Sequence, residues 1–337
     1  MKDNFATAMR RSLDLVRAGD PHGATEKIQE ALRGRTAVPI PQHRVRQPLS
    51  KVLEHVPARR AKTQPDDTMQ DRHFRCGSGS RDYRLFVPSP PLDDLRGLVI
   101  MLHGCTQNPD DFATGTSMNR HAERHGFVVA YPSQPRSCNM NGCWNWFEPA
   151  HQDAQTGEPA ILSGLTRSLQ VEFSLLPRET FVAGLSAGGA MAAILAEQRP
   201  DVFAGAGVHS GLPTGSAHDV TSAFAAMRGQ GAPGRAMERP AIVFQGLADP
   251  TVAAVNASRL VGVLRAPERQ RIEINQLPCQ VTKGWTGDGH PMELWLIEGA
   301  AHAWLGGNDS GSHTDAKGPD ASAEMLRFFN SVMEKKQ

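Results

Sequence analysis

Three residues able to form a nucleophile, an acid and a base occur in order along the chain, each just beyond an apolar run. Ser186 lies in Gly184-Leu185-Ser186-Ala187-Gly188, after "TFVA" and before the Ala-rich "GGAMAAILAEQ". Asp249 follows "AIVFQG", and His302 follows "MELWLIEG". A serine of ordinary acidity attacks a carbonyl only when a base takes its proton and a third group orients that base. The G-x-S-x-G pattern between a strand and a helix makes a turn so tight that glycines must flank the serine, and the order Ser, Asp, His suits that turn. The amide of Ala187, at the start of the following helix, would then face the negative charge that develops on the attacked oxygen. A second amide is expected from Cys105, because "LVIMLHG" is an apolar run ending in a glycine that lets the backbone approach closely. As a thiol nucleophile Cys105 has no evident histidine partner.

Each position also has an ordinary structural reading. Gly and Ser are common in turns, Asp249-Pro250 is a good turn or cap, and His302 beside Trp304 suits a packed loop. All three residues at strand ends, in the required order, would make three coincidences.

The elements that must carry them alternate. "YRLFVP", "GLVIMLHG", "FVVAYP", "TFVAGLS", "FAGAGVHS", "AIVFQG" and "MELWLIEG" read as strands, and "FATGTSMNRHAERHG" reads as a helix, as does the segment after Ser186. Short apolar strands separated by helices predict an α/β fold with a mostly parallel central sheet covered on both faces. Gly211 to Arg239 is long for a crossover and holds either a cap helix or an ordinary crossover helix around "TSAFAAM". Before this domain, residues 1–34 show apolar positions at helical spacing (Phe5, Met9, Leu13, Val16; then Ala24, Ile28, Ala31, Leu32) and predict a helical hairpin. Residues 35–72 are rich in Pro and Arg without periodicity and predict a linker, leaving 73–337 as the catalytic domain.

Composition narrows the class. The chain has 337 residues and 39% hydrophobic content, enough for a full core. With 36 basic and 35 acidic residues, it offers no general argument for a nucleic-acid partner. The basic excess is local: residues 1–62 hold 13 Lys and Arg against 6 Asp and Glu. No apolar run reaches the ~20 residues of a membrane span, and the N-terminus shows no standard signal peptide, so the expected compartment is cytoplasmic. No metal or organic cofactor is expected, for no C-x-x-C, H-E-x-x-H or P-loop pattern is present.

Taken together, "LHGCTQNPDDFATGTSMNRHAERHGFVVAYPSQ", "CWNWFEP", "GLSAGGAMAAILA", "VFQGLADPTV" and "AHAWLGG" resemble the polyhydroxybutyrate depolymerase family of esterases, within the α/β-hydrolase fold. The resemblance runs from about Phe74 to Phe329, and it allows an extracellular location beside the cytoplasmic one. It implies a serine ester hydrolase with Ser186 as nucleophile, Asp249 as acid and His302 as base. Short-chain polyhydroxyalkanoate is the implied substrate, with acetylxylan or feruloyl esters as the rival. Gln245 departs from the family, where His often precedes the acid-loop glycine; the triad is expected to survive this.

Trp144, Trp146 and Phe147 are expected to form an apolar wall for a polyester chain, to pin their loop to the core, or to do both. Gln107 and Trp304 complete the expected substrate-binding set. Cys143 can bridge to Cys105 or to Cys138, and the pattern does not choose between them. A reading of another class makes the protein a granule- or polyanion-binding component acting through residues 1–62, with a degenerate hydrolase fold.

Overall fold

The computed structural model describes residues 69–89, 91 and 94–334. The hairpin expected at 1–34 and most of the linker lie outside them. The folded sheet begins earlier than the expected boundary at His73, because strand β1 spans Gln70–Cys76 and pairs antiparallel with β2, Gly79–Phe86. None of the β1 residues is buried, so the strand carries no apolar signal that a sequence reading could use.

Among the described residues one sheet has ten strands, in the order β1-β2-β4-β3-β5-β6-β7-β10-β9-β8. The central members are β3 (Gly97–Leu102), β4 (Phe127–Pro132), β5 (Thr180–Leu185), β6 (Gly205–His209), β7 (Ala241–Gly246) and β10 (Pro291–Ile297). These six pair in parallel. Their near-continuous Val, Ile, Leu and Ala runs are buried on both faces, as parallel strands under helices must be.

The segment expected as a single helix after β3 is two: α1 (Pro109–Thr116), capped by Asn108, and α2 (Met118–His125). Ser117 separates them with a left-handed φ of 51°, a conformation that cannot continue a helix. Helix α3 (Gly157–Glu172) leads to β5, and α4 (Ala187–Gln198) connects β5 to β6. Helix α5 (Val220–Met227) lies in the crossover from β6 to β7, and α6 (Val255–Val261) follows β7. Helix α7 (Ala321–Glu334) ends the domain. The hairpin of β8 (Arg265–Ile274) and β9 (Leu277–Trp285) extends the sheet beyond β10. Sequence reading misses it because β8, "RAPERQRIEI", is an exposed edge strand whose charges and proline guard it against pairing.

Two features of the sheet matter for chemistry. The register pairs Leu102 with Gly184, Leu185 with His209, His209 with Phe244, and Ile297 with Gly246. The central strands therefore end together, and the loops carrying Cys105, Ser186, Asp249 and His302 leave one edge of the sheet, where open α/β sheets place their sites. Helix α4 is almost wholly buried, and its small residues let it press against that edge. A Cβ on Gly188 would lie 2.0 Å from the Leu102 carbonyl oxygen, so only glycine permits this approach.

Candidate active site

Ser186 takes φ 58° and ψ −119° between the last residue of β5 and the first of α4. A non-glycine residue there costs about 1–3 kcal/mol and persists only where neighbours hold it. They do: Ser186 N–H donates to His209 O at 2.9 Å, and Ala190 N–H donates to Ser186 O at 2.9 Å. The side chain is partly exposed, and Ser186 Oγ has no hydrogen-bond partner among the described residues. Ala187 opens α4, so its N–H has no intrahelical acceptor.

Asp249 and His302 meet. His302 Nδ1–H donates to Asp249 Oδ2 at 2.7 Å, across 53 residues of sequence. Glycine again sets the approach: a Cβ on Gly246 would lie 2.3 Å from Ala300 O. Leu247 N–H and Ala248 N–H donate to Ile297 O and Ala300 O, joining the acid and histidine loops by backbone. Asp249 Oδ1 accepts Thr251 N–H and Val252 N–H, both at 2.8 Å, and Oδ2 also accepts Gln245 Nε2–H at 3.1 Å. Burial alone would raise this carboxyl's pKa, but the His302 bond and charge, with the two amides, hold it below the ordinary aspartate value. One Asp249 oxygen thus accepts the amides of its own turn, and the other accepts the His302 ring N–H.

Gln245, the departure from the family pattern, is a buried support for that carboxylate. His209 has no place in the sequence reading, although it ends β6 beside the serine. It is stacked between Phe244 and Trp304, with centroids 5.8 and 5.4 Å away, and accepts Leu305 N–H on Nε2. Burial, reinforced by nearby His302, pushes its pKa down to about 3, so it remains a neutral prop. The only sequence signal for it is its position at a strand end.

The loop after β3 is braced on both sides. The disulfide is Cys105–Cys143, which decides between the two pairings, and Cys138 is a free, exposed thiol. Thr106 N–H donates to Asn141 O at 2.7 Å, and Trp144 Nε1–H donates to His103 O at 3.1 Å. The Cys105 N–H has no acceptor among the described residues. His103 is buried and shifted toward the neutral form by that burial; its Nδ1–H donates to Gly104 O and its Nε2 accepts Gln134 N–H.

The expected substrate wall is largely corrected. Trp144 is fully buried against His103, and Trp304 is fully buried, with Nε1–H on Ser322 Oγ. Trp146 is 5% exposed and packs edge-on with Phe147, which alone of the three reaches the surface in part. Large aromatics at this loop's spacing hold it to the core rather than lining a surface. Gln107 is also buried, its amide bonded to Gly104, Asp111 and Ser312, with neither N–H left for substrate. Among the described residues no group of three or more His, Cys, Asp or Glu side chains is arranged to hold a metal ion.

Comparison with known proteins bears on the family and the fold. The chain is 33% identical over 230 residues to poly(3-hydroxyalkanoate) depolymerase C of Paucimonas lemoignei, covering 61% of this chain and 54% of that protein. It is 31% identical over 142 residues to a probable acetylxylan esterase A of Aspergillus fumigatus, covering 41% of this chain and 36% of that protein. The chain thus spans about half the length of the first relative and about a third of the second. The solved acetyl xylan esterase from Aspergillus awamori superposes with a TM-score of 0.57 at 20% identity, over 78% of this chain and 98% of that one, which supports the α/β-hydrolase fold. Residues 81–266, more than half of the chain, match the esterase PHB depolymerase family, and the chain belongs to that family.

Proposed function

We propose that this protein is a serine carboxylic-ester hydrolase that cleaves short-chain polyhydroxyalkanoate, of the poly(3-hydroxybutyrate) type, through an acyl-enzyme. The observation that carries the reading is the 2.7 Å His302–Asp249 bond at the sheet edge from which Ser186 projects in its strained turn. With Nδ1–H held by Asp249, His302 presents Nε2 as the base. It takes the Ser186 proton as Oγ attacks the ester carbonyl, and the N–H groups of Ala187 and Cys105 bind the oxyanion. His302 then returns the proton to the departing alkoxide. Water, deprotonated by the same imidazole, releases the acid and regenerates the serine. These steps need no metal or organic cofactor.

The polyester substrate is favoured by the 33% identity to a poly(3-hydroxyalkanoate) depolymerase. Acetylated or feruloylated carbohydrate is the second reading, favoured by the similarity to acetylxylan esterase A and feruloyl esterase B. A granule- or polyanion-binding role for residues 1–62 rests on their basic excess alone. No described helix is long and apolar enough to cross a membrane. The Cys105–Cys143 disulfide supports an oxidising compartment rather than the cytoplasm expected from sequence.

Release of soluble 3-hydroxybutyrate from amorphous polymer is expected with the wild-type protein and not with Ser186→Ala. A folded wild type that releases acetate from acetylxylan and nothing from polyester would transfer the assignment to the carbohydrate reading.

A further inference from the structure

Gln107 lies in a position that its sequence context does not reveal. Residues 104–107 form a tight turn closed twice. Gln107 N–H donates to Gly104 O at 3.3 Å, and Gly104 N–H donates to Gln107 Oε1 at 2.9 Å. Thr106, third in the turn, has a left-handed φ of 66°. The Cys105 N–H is held inside this turn, so the direction in which it points depends on what fixes the turn's two ends. One end is the glutamine's own side chain.

The other end of that side chain reaches across 205 residues of sequence. Gln107 Nε2–H donates to Ser312 O at 2.9 Å and to Asp111 Oδ2 at 3.0 Å. Asp111 in turn accepts Ser312 N–H at 2.8 Å and the Ser312 hydroxyl. Ser312 precedes His313, whose carbonyl accepts Trp304 N–H at 2.7 Å, two residues beyond His302. Strands β11 (Trp304–Leu305) and β12 (Thr314–Asp315) pair there, so the segment that Gln107 grips is the one against which the histidine loop is built. Helix α1 is equally close: a Cβ on Gly311 would lie 2.3 Å from Gly115 Cα. The Cys105–Cys143 disulfide ties the same turn to the aromatic loop.

We propose that Gln107 is a positioning residue, which aims the Cys105 N–H at the oxyanion and registers it against the loop carrying His302. It touches no substrate, because its amide is already committed. Removing it would leave the nucleophile and the acid–base pair in place and tilt one oxyanion donor. Such a tilt weakens an interaction made in the transition state and not in the ground state, so it lowers kcat rather than raising KM. This inference rests on the ester-hydrolase reading.

The test uses the full chain with a soluble p-nitrophenyl butyrate substrate, with rates normalised to active sites titrated by a fluorophosphonate. Gln107→Leu is expected to lower kcat by about 10- to 100-fold with KM within about twofold, somewhat less than deletion of an oxyanion donor costs. Affinity for a butyl boronate, which mimics the tetrahedral adduct, should fall by the same factor. A merely structural role would reduce the titratable fraction and leave kcat per site unchanged; that result overturns the inference, as does a rise in KM alone. If Gln107→Leu does not fold, Gln107→Met keeps the length without the hydrogen bonds and is held to the same criteria. An inactive, folded wild type would remove the hydrolase reading and this inference with it, whereas an active wild type with an unaffected variant removes this inference alone.

Discussion

Asp249→Asn should be far more damaging here than the near-identical shape of the two side chains implies. The Asp249 side chain is fully buried, and all four of its hydrogen bonds come from donors: two amides on Oδ1, and His302 Nδ1–H with Gln245 Nε2–H on Oδ2. An asparagine has one acceptor oxygen and one NH2. Whichever way it is flipped, its NH2 faces two donors. If the oxygen stays on the turn, His302 loses its acceptor and rotates or changes tautomer, so Nε2 no longer presents a lone pair to Ser186. If the oxygen faces His302, the Thr251 and Val252 amides are left unpaired. In other hydrolases loss of the correct tautomer lowers kcat by about 10⁴, roughly 5 kcal/mol of transition-state stabilisation at 1.36 kcal/mol per decade. Unpaired buried amides add about 1–3 kcal/mol of lost stability. The assay is kcat on p-nitrophenyl butyrate per titrated active site, with urea unfolding of the same variant. We expect kcat to fall by at least about 10³ and stability by at least about 1 kcal/mol. Retention of activity within tenfold, with stability lost, would refute the reasoning and leave Asp249 only its turn.

Other expectations follow from single observations. His209 stays neutral in the fold, with a pKa near 3, whereas in the unfolded chain it takes a proton below its ordinary 6.5. The unfolded state then binds more protons between these values, so stability rises with pH across that window. His209→Gln should flatten urea-derived stability between about pH 4.5 and 6.5 by up to about 1.4 kcal/mol per pH unit, and an unchanged slope would mean that the ring is not held neutral. The Cys105–Cys143 bond closes a span of 38 residues, so Cys143→Ser should cost about 4 kcal/mol by chain entropy. Reductant should lower the melting temperature of the wild type and leave the variant unmoved. Gly188→Ala forces a Cβ to within 2.0 Å of Leu102 O and should destabilise by about 3 kcal/mol, read as loss of soluble protein or of its cooperative melt.

Local stretches of the chain spell out the strands that matter and the order of the candidate nucleophile, acid and base. Apolar runs such as "AIVFQG" and "TFVAGL" can only be buried strands, and glycines beside a serine at a strand-to-helix boundary mark a turn no other residues allow. These are local signals, set by backbone sterics and by burial along a few consecutive residues. Which residues support the candidate site depends on contacts between segments far apart in sequence. His209 matters because β6 lies beside β5, and Gln107 because a loop 205 residues away folds back onto α1; Gln245 is buried beneath the acid because β7 and β10 end in register. The aromatic loop shows the limit from the other side. Trp144 and Trp146 are residue types suited to a binding wall, but residue type does not tell which side of a loop faces the core. That is settled by the disulfide and by a carbonyl of His103 that accepts an indole N–H, contacts made across the fold and written in no single stretch of sequence.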